Sequence, residues 1–207
     1  MFNTREKRER SLGVRLLLKP ERCASPKCAT VRSPQRPGAH GKDRRRTPSE
    51  FGQLLAEKQK FKFTYGLREA QLRHLFERAA RHAGVTGTMF VAFLERRLDN
   101  VIFRLGFAPS RSVARQLVGH GHFVVNGRKV TIPSYAVKPG DVLAIRPQSN
   151  AHPAFRELAA RLKEYEPPSW LHIDKEKLEG KVLGAPRDLD VPFDVNMVVD
   201  YYSRIVK

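Results

Sequence analysis

Apolar positions along the chain keep one period through the first half of its ordered part and another after it. Phe51, Leu54, Leu55 and Phe61 fall near one face of a helix, while Lys58 and Lys60 fall elsewhere. Thr47-Pro48-Ser49-Glu50 predicts the start of this helix. Thr47 caps, Pro48 takes the first helical position and Glu50 completes a capping box; Gly66 marks the end. A second helix is predicted from about Leu67 to Ala83, with a stripe of Leu72, Leu75, Phe76, Ala79 and Ala83. Arg68, Arg73, Arg78 and Arg81 lie mostly off that stripe, and Gly84 stops it. A third stretch, from about Thr88 to Leu105 with a break near Glu95, carries Phe90, Phe93, Leu94, Leu98, Val101, Ile102 and Leu105. Ser110 then caps a short helix holding Val113, Ala114, Leu117 and Val118, closed by Gly119 and Gly121.

The period next shortens to two. Phe123–Val125, Asn126-Gly127 and Arg128–Ile132 predict a hairpin, because Asn-Gly suits a type I′ turn whose central residues both need positive φ. Pro139-Gly140-Asp141 is a second turn, before a strand over Val142–Ile145. A short helix is predicted from Pro153 to Tyr165. The remainder, with Trp170–Ile173 and Lys181–Leu183, reads as short strands and loops. Ahead of all this, residues 1–47 hold four prolines and three glycines and read as an irregular basic arm anchored only by Val14–Leu18.

Charge changes the picture from a small α+β protein to a polyanion binder. The 207 residues carry 39 Lys+Arg against 21 Asp+Glu, a net +18, and 41% of them are hydrophobic. Such self-repulsion opposes compaction unless a polyanion neutralises it. The excess is uneven: net +9 over residues 1–50, +7 over 51–120, +3 over 121–150 and −1 over 151–207. The first three quarters therefore face the polyanion, and the last quarter is left for packing or protein contacts. No apolar run approaches the ~20 residues of a membrane span, and Met1–Arg10 lacks the apolar core of a secretory signal. Cys23 and Cys28 offer no disulfide framework, so a reducing, cytosolic setting is expected.

The informative stretch is Arg97–Ile145. Arg111 and Arg115 stand one turn apart on the predicted Ser110 helix, so both share a face. That helix ends in His120-Gly121-His122 and leads to a hairpin tipped by Asn126-Gly127-Arg128-Lys129. Two arginines beside a basic loop can grip phosphates on two sides of a bent backbone, since the guanidinium fork binds phosphate oxygens bidentately.

Arg97-Leu-Asp-Asn-Val-Ile-Phe-Arg-Leu-Gly-Phe-Ala108, Ser110-Arg-Ser-Val-Ala-Arg-Gln-Leu-Val-Gly-His-Gly-His122 and Val125-Asn-Gly-Arg-Lys-Val130 together resemble the S-four RNA-binding domain. Several RNA proteins share it, and the flanks select among them. Pro37-Gly-Ala-His-Gly41, Glu57-Lys-Gln-Lys60, Tyr65-Gly66, Gly84-Val-Thr-Gly87, Ile132-Pro-Ser-Tyr135, Lys138-Pro-Gly-Asp141, Trp170-Leu171 and Val199-Asp-Tyr-Tyr-Ser-Arg204 resemble the bacterial-type small-subunit ribosomal S-four family across almost the whole chain.

The resemblance implies an α+β fold. A basic irregular arm (1–46) would precede a helical domain (47–92 plus about 187–207) and an S-four domain of short helices on a small antiparallel sheet (93–186, core 97–145). It implies a noncatalytic constituent of the small ribosomal subunit, in the cytoplasm. That protein would nucleate assembly of the subunit body by binding a multi-helix junction in the 5′ domain of small-subunit ribosomal RNA. It would influence translational accuracy through ribosomal protein S-five, with S-three a further candidate neighbour and the mRNA entry path nearby; no membrane contact and no homo-oligomer are expected.

The foremost RNA-binding candidates are Arg111, Arg115, His120 and Arg128, against the alternative of a solvated basic face. Arg44, Arg45 and Arg46 would meet phosphates without sequence preference. Lys58, Lys60 and Arg68 are candidates on the helical platform, Arg36 and His40 in the arm, Arg97 and Arg104 ahead of the hairpin, and His122, Asn126 and Lys129 at its base and tip. His120 and His122 either contact RNA or hydrogen-bond the turn. Trp170 reads as packing.

Cys23-x₄-Cys28 suggests zinc, because some relatives carry a Cys-x₂-Cys pair upstream. Here that pair falls at Glu6 and Glu9, and two Cys with two Glu would be an unusual structural site. No cofactor is therefore expected, and Glu6 and Glu9 would instead pair with Arg or Lys and hold the arm electrostatically. Arg97-Leu98-Asp99 matches a tripeptide of pseudouridine synthases, but it precedes the RNA module and no large catalytic domain follows. Asp99 reads instead as a helix-surface partner for a nearby Arg. A tyrosyl-tRNA synthetase tail and a heat-shock-type ribosome-rescue protein fit the flanks less well.

Overall fold

The computed structural model describes residues 4–43, 47–186 and 193–205, so Arg44, Arg45 and Arg46 lie outside the described residues. In chain order the helices are α1 (Thr4–Leu12), α2 (Pro20–Cys23), α3 (Ala29–Arg32), α4 (Glu50–Thr64), α5 (Glu69–Ala80), α6 (Thr86–Glu95), α7 (Leu98–Arg104), α8 (Arg111–Gly119), α9 (Leu158–Leu162) and α10 (Val195–Ile205). The strands are β1 (Phe123–Val125), β2 (Arg128–Lys129), β3 (Val142–Ile145), β4 (Leu171–Asp174) and β5 (Glu179–Val182). Two compact units result: residues 1–90 with 191–207, and residues 91–190. Among the described residues no helix is long and apolar enough to cross a membrane.

The first unit gathers α4, α5 and α10 around aromatic rings. Phe76 lies 5.0 Å from Tyr202 and 6.0 Å from Phe90, and Phe61 lies 6.0 Å from Phe90. Such offset and tilted pairs add to the burial of large apolar side chains. The cap of α4 is Ser49, not Thr47: the Ser49 hydroxyl accepts from the Gly52 amide at 3.2 Å, and Pro48 stays outside the helix. Gln71 caps α5 by accepting from the Arg68 amide at 3.0 Å. The α10 segment, which the pattern reads as short strands and loops and the resemblance assigns to the helical domain, is helical. Its β-branched Val195, Val198 and Val199 argue for strand locally. Asp194, however, accepts from the Asn196 and Met197 amides at 2.9 and 3.3 Å, and Val198 and Tyr202 bury one face.

The arm is less irregular than its prolines suggest. Pro20 sits in the first turn of α2, where its missing N–H is harmless. α1 has no apolar stripe; its helix-favouring Arg, Glu and Lys place two carboxylates inward instead, with Glu6 6% and Glu9 1% exposed. Glu9 Oε1 accepts from the Leu16 and Leu18 amides at 2.9 and 3.2 Å, holding the chain as it turns back at Gly13. Arg22 Nε lies 2.8 Å from Glu6 Oε1, an ion pair not aligned as a hydrogen bond. Glu6 thus pairs with an arginine as expected, whereas Glu9 caps backbone.

The second unit packs α7, α8 and α9 against a five-stranded antiparallel sheet of order β2-β1-β3-β5-β4. Leu98, Ile102, Leu105, Phe107, Phe123, Leu143 and Leu162 are fully buried in its core. The Asn126-Gly127 turn forms with φ of 50° and 76°. β2 stops at Lys129 rather than running to Ile132. The following chain leaves the sheet so that the Tyr135 and Pro133 carbonyls accept from the Leu98 and Asp99 amides at 2.8 and 3.1 Å, closing the open start of α7. The helix expected over Pro153–Tyr165 divides into a turn at Pro153–Phe155 and α9, because Glu157 leaves helical geometry at φ −101°, ψ 8°.

Gly180 of β5 is a close approach. A Cβ there would sit 2.4 Å from Leu105 Cδ1, and Leu105 is itself fully buried. Gly180→Ala is expected to cost about 1–3 kcal/mol through overpacking. It should show as a lower urea midpoint with unchanged m-value.

Candidate nucleic-acid interface

Two buried carboxylates organise four arginines at the seam of α7 and α8. Asp99 is 2% exposed. Its Oδ1 accepts from Arg97 Nε at 3.1 Å, and its Oδ2 from Arg97 Nη2 at 2.9 Å and from Arg115 Nε and Nη2 at 2.8 and 2.6 Å. Glu95 is fully buried. It accepts from Arg104 Nε and Nη2 at 3.0 Å each and from Asn100 Nδ2 at 2.8 Å. Asn100 Oδ1 in turn accepts from Arg111 Nε at 2.7 Å, while the Arg111 guanidinium stacks over Phe103 at 4.5 Å.

Arg111 and Arg115 thus share a face, as their spacing predicts, and that face looks at α7. Two carboxylates against four guanidiniums leave the cluster cationic. Arg115 keeps 32% of its side chain in solvent and Arg104 24%. Arg97 keeps 9% of its side chain in solvent and turns its guanidinium onto Asp99. Asp99 does pair with arginines, but it is buried rather than on the helix surface.

At the hairpin, Arg128 and Lys129 are exposed on β2. Asn126 works inward: its Nδ2 donates to Asp141 Oδ1 and its Oδ1 accepts from the Val142 amide, both at 2.9 Å. The Lys129 stem lies over Gly121, where a Cβ would meet Lys129 Cε at 2.2 Å. His120 is exposed. His122 is half-buried, within 3.0 Å of Ser149 Oγ and 4.6 Å ring-to-ring from His152.

In the first unit, Lys58 is 3% exposed. Its Nζ donates to Glu69 Oε1 at 2.9 Å and sits 4.7 Å from the Tyr201 ring. The Lys58 ammonium is thus held within the unit by Glu69 and Tyr201. Lys60 pairs with Glu57 on the same helix, and Arg68 and Arg36 are exposed. His40 is exposed and 3.0 Å from Asp43 Oδ2. Gly41 is required by its loop, since a Cβ would fall 1.9 Å from the Arg36 carbonyl oxygen.

A family profile described as "Ribosomal protein S4/S9 N-terminal domain" matches residues 2–95, and one described as "S4 domain" matches residues 96–143. The small ribosomal subunit protein uS4 of Pelotomaculum thermopropionicum is 50% identical over 93% of both chains. The uS4 of Thermus thermophilus is 49% identical over the same share. The chain belongs to the uS4 family. It is accordingly a ribosomal, RNA-binding protein of mixed α and β structure, and not an enzyme. The uS4A of Symbiobacterium thermophilum is 48% identical, again over 93% of each chain.

In this uS4-family chain the spacing of basic residues did not reveal Glu95, Asn100 and Phe103, which hold the arginines. The available signal was Glu95 and Asn100 standing between two apolar runs, Met89–Leu94 and Val101–Phe103, where the helical period brings them toward the core. A buried polar residue is the informative exception. Arg146 and His152 were missed because each is isolated in sequence and joins the histidines only through the fold.

Burial, and then the nearby charges of His152, His120, Arg146 and Lys129, lower the His122 pKa below 6.5. Below 6.5 the unfolded chain takes up a proton that folded His122 resists. Stability therefore falls as pH drops through 6.5 toward the folded pKa. A denaturant midpoint that declines over this interval, and a flatter profile for His122→Asn, is the expected result. A decline of equal slope in His122→Asn would assign the effect elsewhere.

Proposed function

We propose that this uS4-family chain is a primary binder of small-subunit ribosomal RNA, recognising a multi-helix junction of the 5′ domain early in assembly of the subunit body. The observation that supports this reading is the Glu95–Asp99 pair beneath Arg104, Arg111 and Arg115. Guanidiniums anchored from behind lose less rotamer freedom on meeting a phosphate. That preorganisation suits a fixed, folded backbone better than a flexible strand. Arg128, Lys129 and His120 extend the grip at the hairpin, and Arg36, His40, Arg68 and the Arg44–Arg46 run add contacts from the first unit.

Within this reading the arm is residues 1–46, the helical domain 47–92 with about 187–207, and the RNA module 93–186. The near-neutral last quarter faces protein: ribosomal protein S-five, through which the chain affects translational accuracy, and S-three, close to the mRNA entry path. The chain works as a single copy in the cytoplasm. It does so without zinc, since Glu9 is occupied by two backbone amides and Glu6 by Arg22, and carboxylates so engaged do not complete a thiolate site.

Binding to an intact 5′-domain RNA fragment, compared with the same fragment whose junction is replaced by a continuous duplex, tests the reading. At least tenfold tighter binding to the junction is expected; equal affinity would overturn it. A stoichiometric metal in the purified protein would overturn the zinc-free reading.

A further inference from the structure

The two arm sulfurs are nucleophiles that RNA binding leaves unused. Cys23 ends α2 and Cys28 precedes α3, with a short turn between them in which the Cys28 amide donates to the Ser25 carbonyl at 3.1 Å. Both thiols are free, and Cys28 is a side-chain neighbour of the Cys23 thiol. Their surroundings differ. Cys28 Sγ lies 3.0 Å from Thr30 Oγ1, and Arg15 reaches both that hydroxyl, at 3.3 Å, and the sulfur. Cys23 meets the Lys19 backbone rather than a hydroxyl or guanidinium, and it is buried with the Glu9 carboxylate nearby.

We propose that Cys23 and Cys28 form a peroxide-responsive dithiol, in which Cys28 is the attacking and Cys23 the resolving sulfur of an intramolecular disulfide. Cys28 thiolate attacks one oxygen of hydrogen peroxide. The O–O bond breaks, and hydroxide leaves to take up the proton released by Cys28, giving Cys28 sulfenic acid and water. Cys23 sulfur then attacks Cys28 sulfur; the S–O bond breaks and the hydroxyl leaves as water with the Cys23 proton. Two thiols are oxidised and one peroxide is reduced to two waters.

The asymmetry of the site fixes the roles. The Thr30 hydroxyl, despite burial, and the Arg15 guanidinium bring the Cys28 pKa down to about 7, whereas burial first and Glu9 second push Cys23 up. A thiol with a pKa near ambient pH makes the best attacker. Cys28 is 2% exposed, which favours an oxidant as small as hydrogen peroxide over bulky disulfides.

The test treats the reduced full-length chain with hydrogen peroxide and follows intact mass. Wild type is expected to lose two hydrogens as a monomer and to regain them with dithiothreitol. Cys23→Ser should halt at a sulfenic acid that a dimedone probe captures, and Cys28→Ser should react at least tenfold more slowly. Arg15→Gln, at a surface side chain, should slow the first step severalfold while leaving the circular dichroism spectrum unchanged. Disulfide-linked dimers in place of the monomeric disulfide, no reaction, or faster reaction in Cys28→Ser than in Cys23→Ser would overturn the proposal.

Discussion

Asp99→Ala should lower the unfolding free energy by about 3–5 kcal/mol, the cost typical of removing one partner from a buried ion pair. Asp99 accepts from both arginines that flank it, and Arg97 has only 9% of its side chain exposed. With the carboxylate gone, the Arg97 charge stays enclosed with no counterion. Arg115, at 32%, can turn toward solvent and contributes less to the loss. Asp99→Asn keeps the shape and two acceptor lone pairs but not the charge, so an intermediate cost is expected. Urea denaturation of the three proteins gives the ranking. A loss under about 1 kcal/mol in Asp99→Ala would mean that the arginines rearrange freely and that the cluster is not rigid.

The second large effect is on the RNA complex. Each phosphate contact releases condensed counterions, so a protein making several such contacts loses about 10³–10⁵ in affinity between 50 and 200 mM salt. A chain of net +18 that grips RNA through guanidiniums should fall in that range. The contribution of the hairpin tip is separable. Arg128 and Lys129 are exposed, so Arg128→Ala with Lys129→Ala should reduce the log–log salt slope by about one to two. The same slope for wild type and double variant would take the hairpin tip out of the interface.

The comparison between sequence and structure turns on what a pattern can express. The α8 helix and the shared face of Arg111 and Arg115 were legible because the two are one turn apart and Ser110 caps: its hydroxyl accepts from the Val113 amide at 3.3 Å. The hairpin was legible because only certain residues tolerate its φ values. Direction was not legible: the spacing that puts two arginines on one face does not say whether that face meets solvent or α7. Lys58 shows the same limit. It lies off the apolar stripe, yet it is buried because Glu69 and Tyr201, from two other helices, converge on it. α1 and α10 were hidden from the hydrophobic pattern for opposite reasons, although the resemblance put the α10 segment in the helical domain. α1 buries carboxylates where an apolar stripe is the usual sign, and α10 is built from residues that favour strands when considered alone.

Tyr202 donates to Glu69 Oε1 at 3.0 Å across 133 residues of chain, and the same carboxylate accepts from Lys58 and Lys62 at 2.9 Å each. Burial works to raise the Glu69 pKa, but these three donors lower it on balance. The unit that holds α4 and α5 is therefore completed by α10. During synthesis, residues 91–190 emerge as one uninterrupted stretch and can fold while the earlier helices still lack α10. The order of birth and the order of completion are reversed for the two units: the first to be made is the last to close.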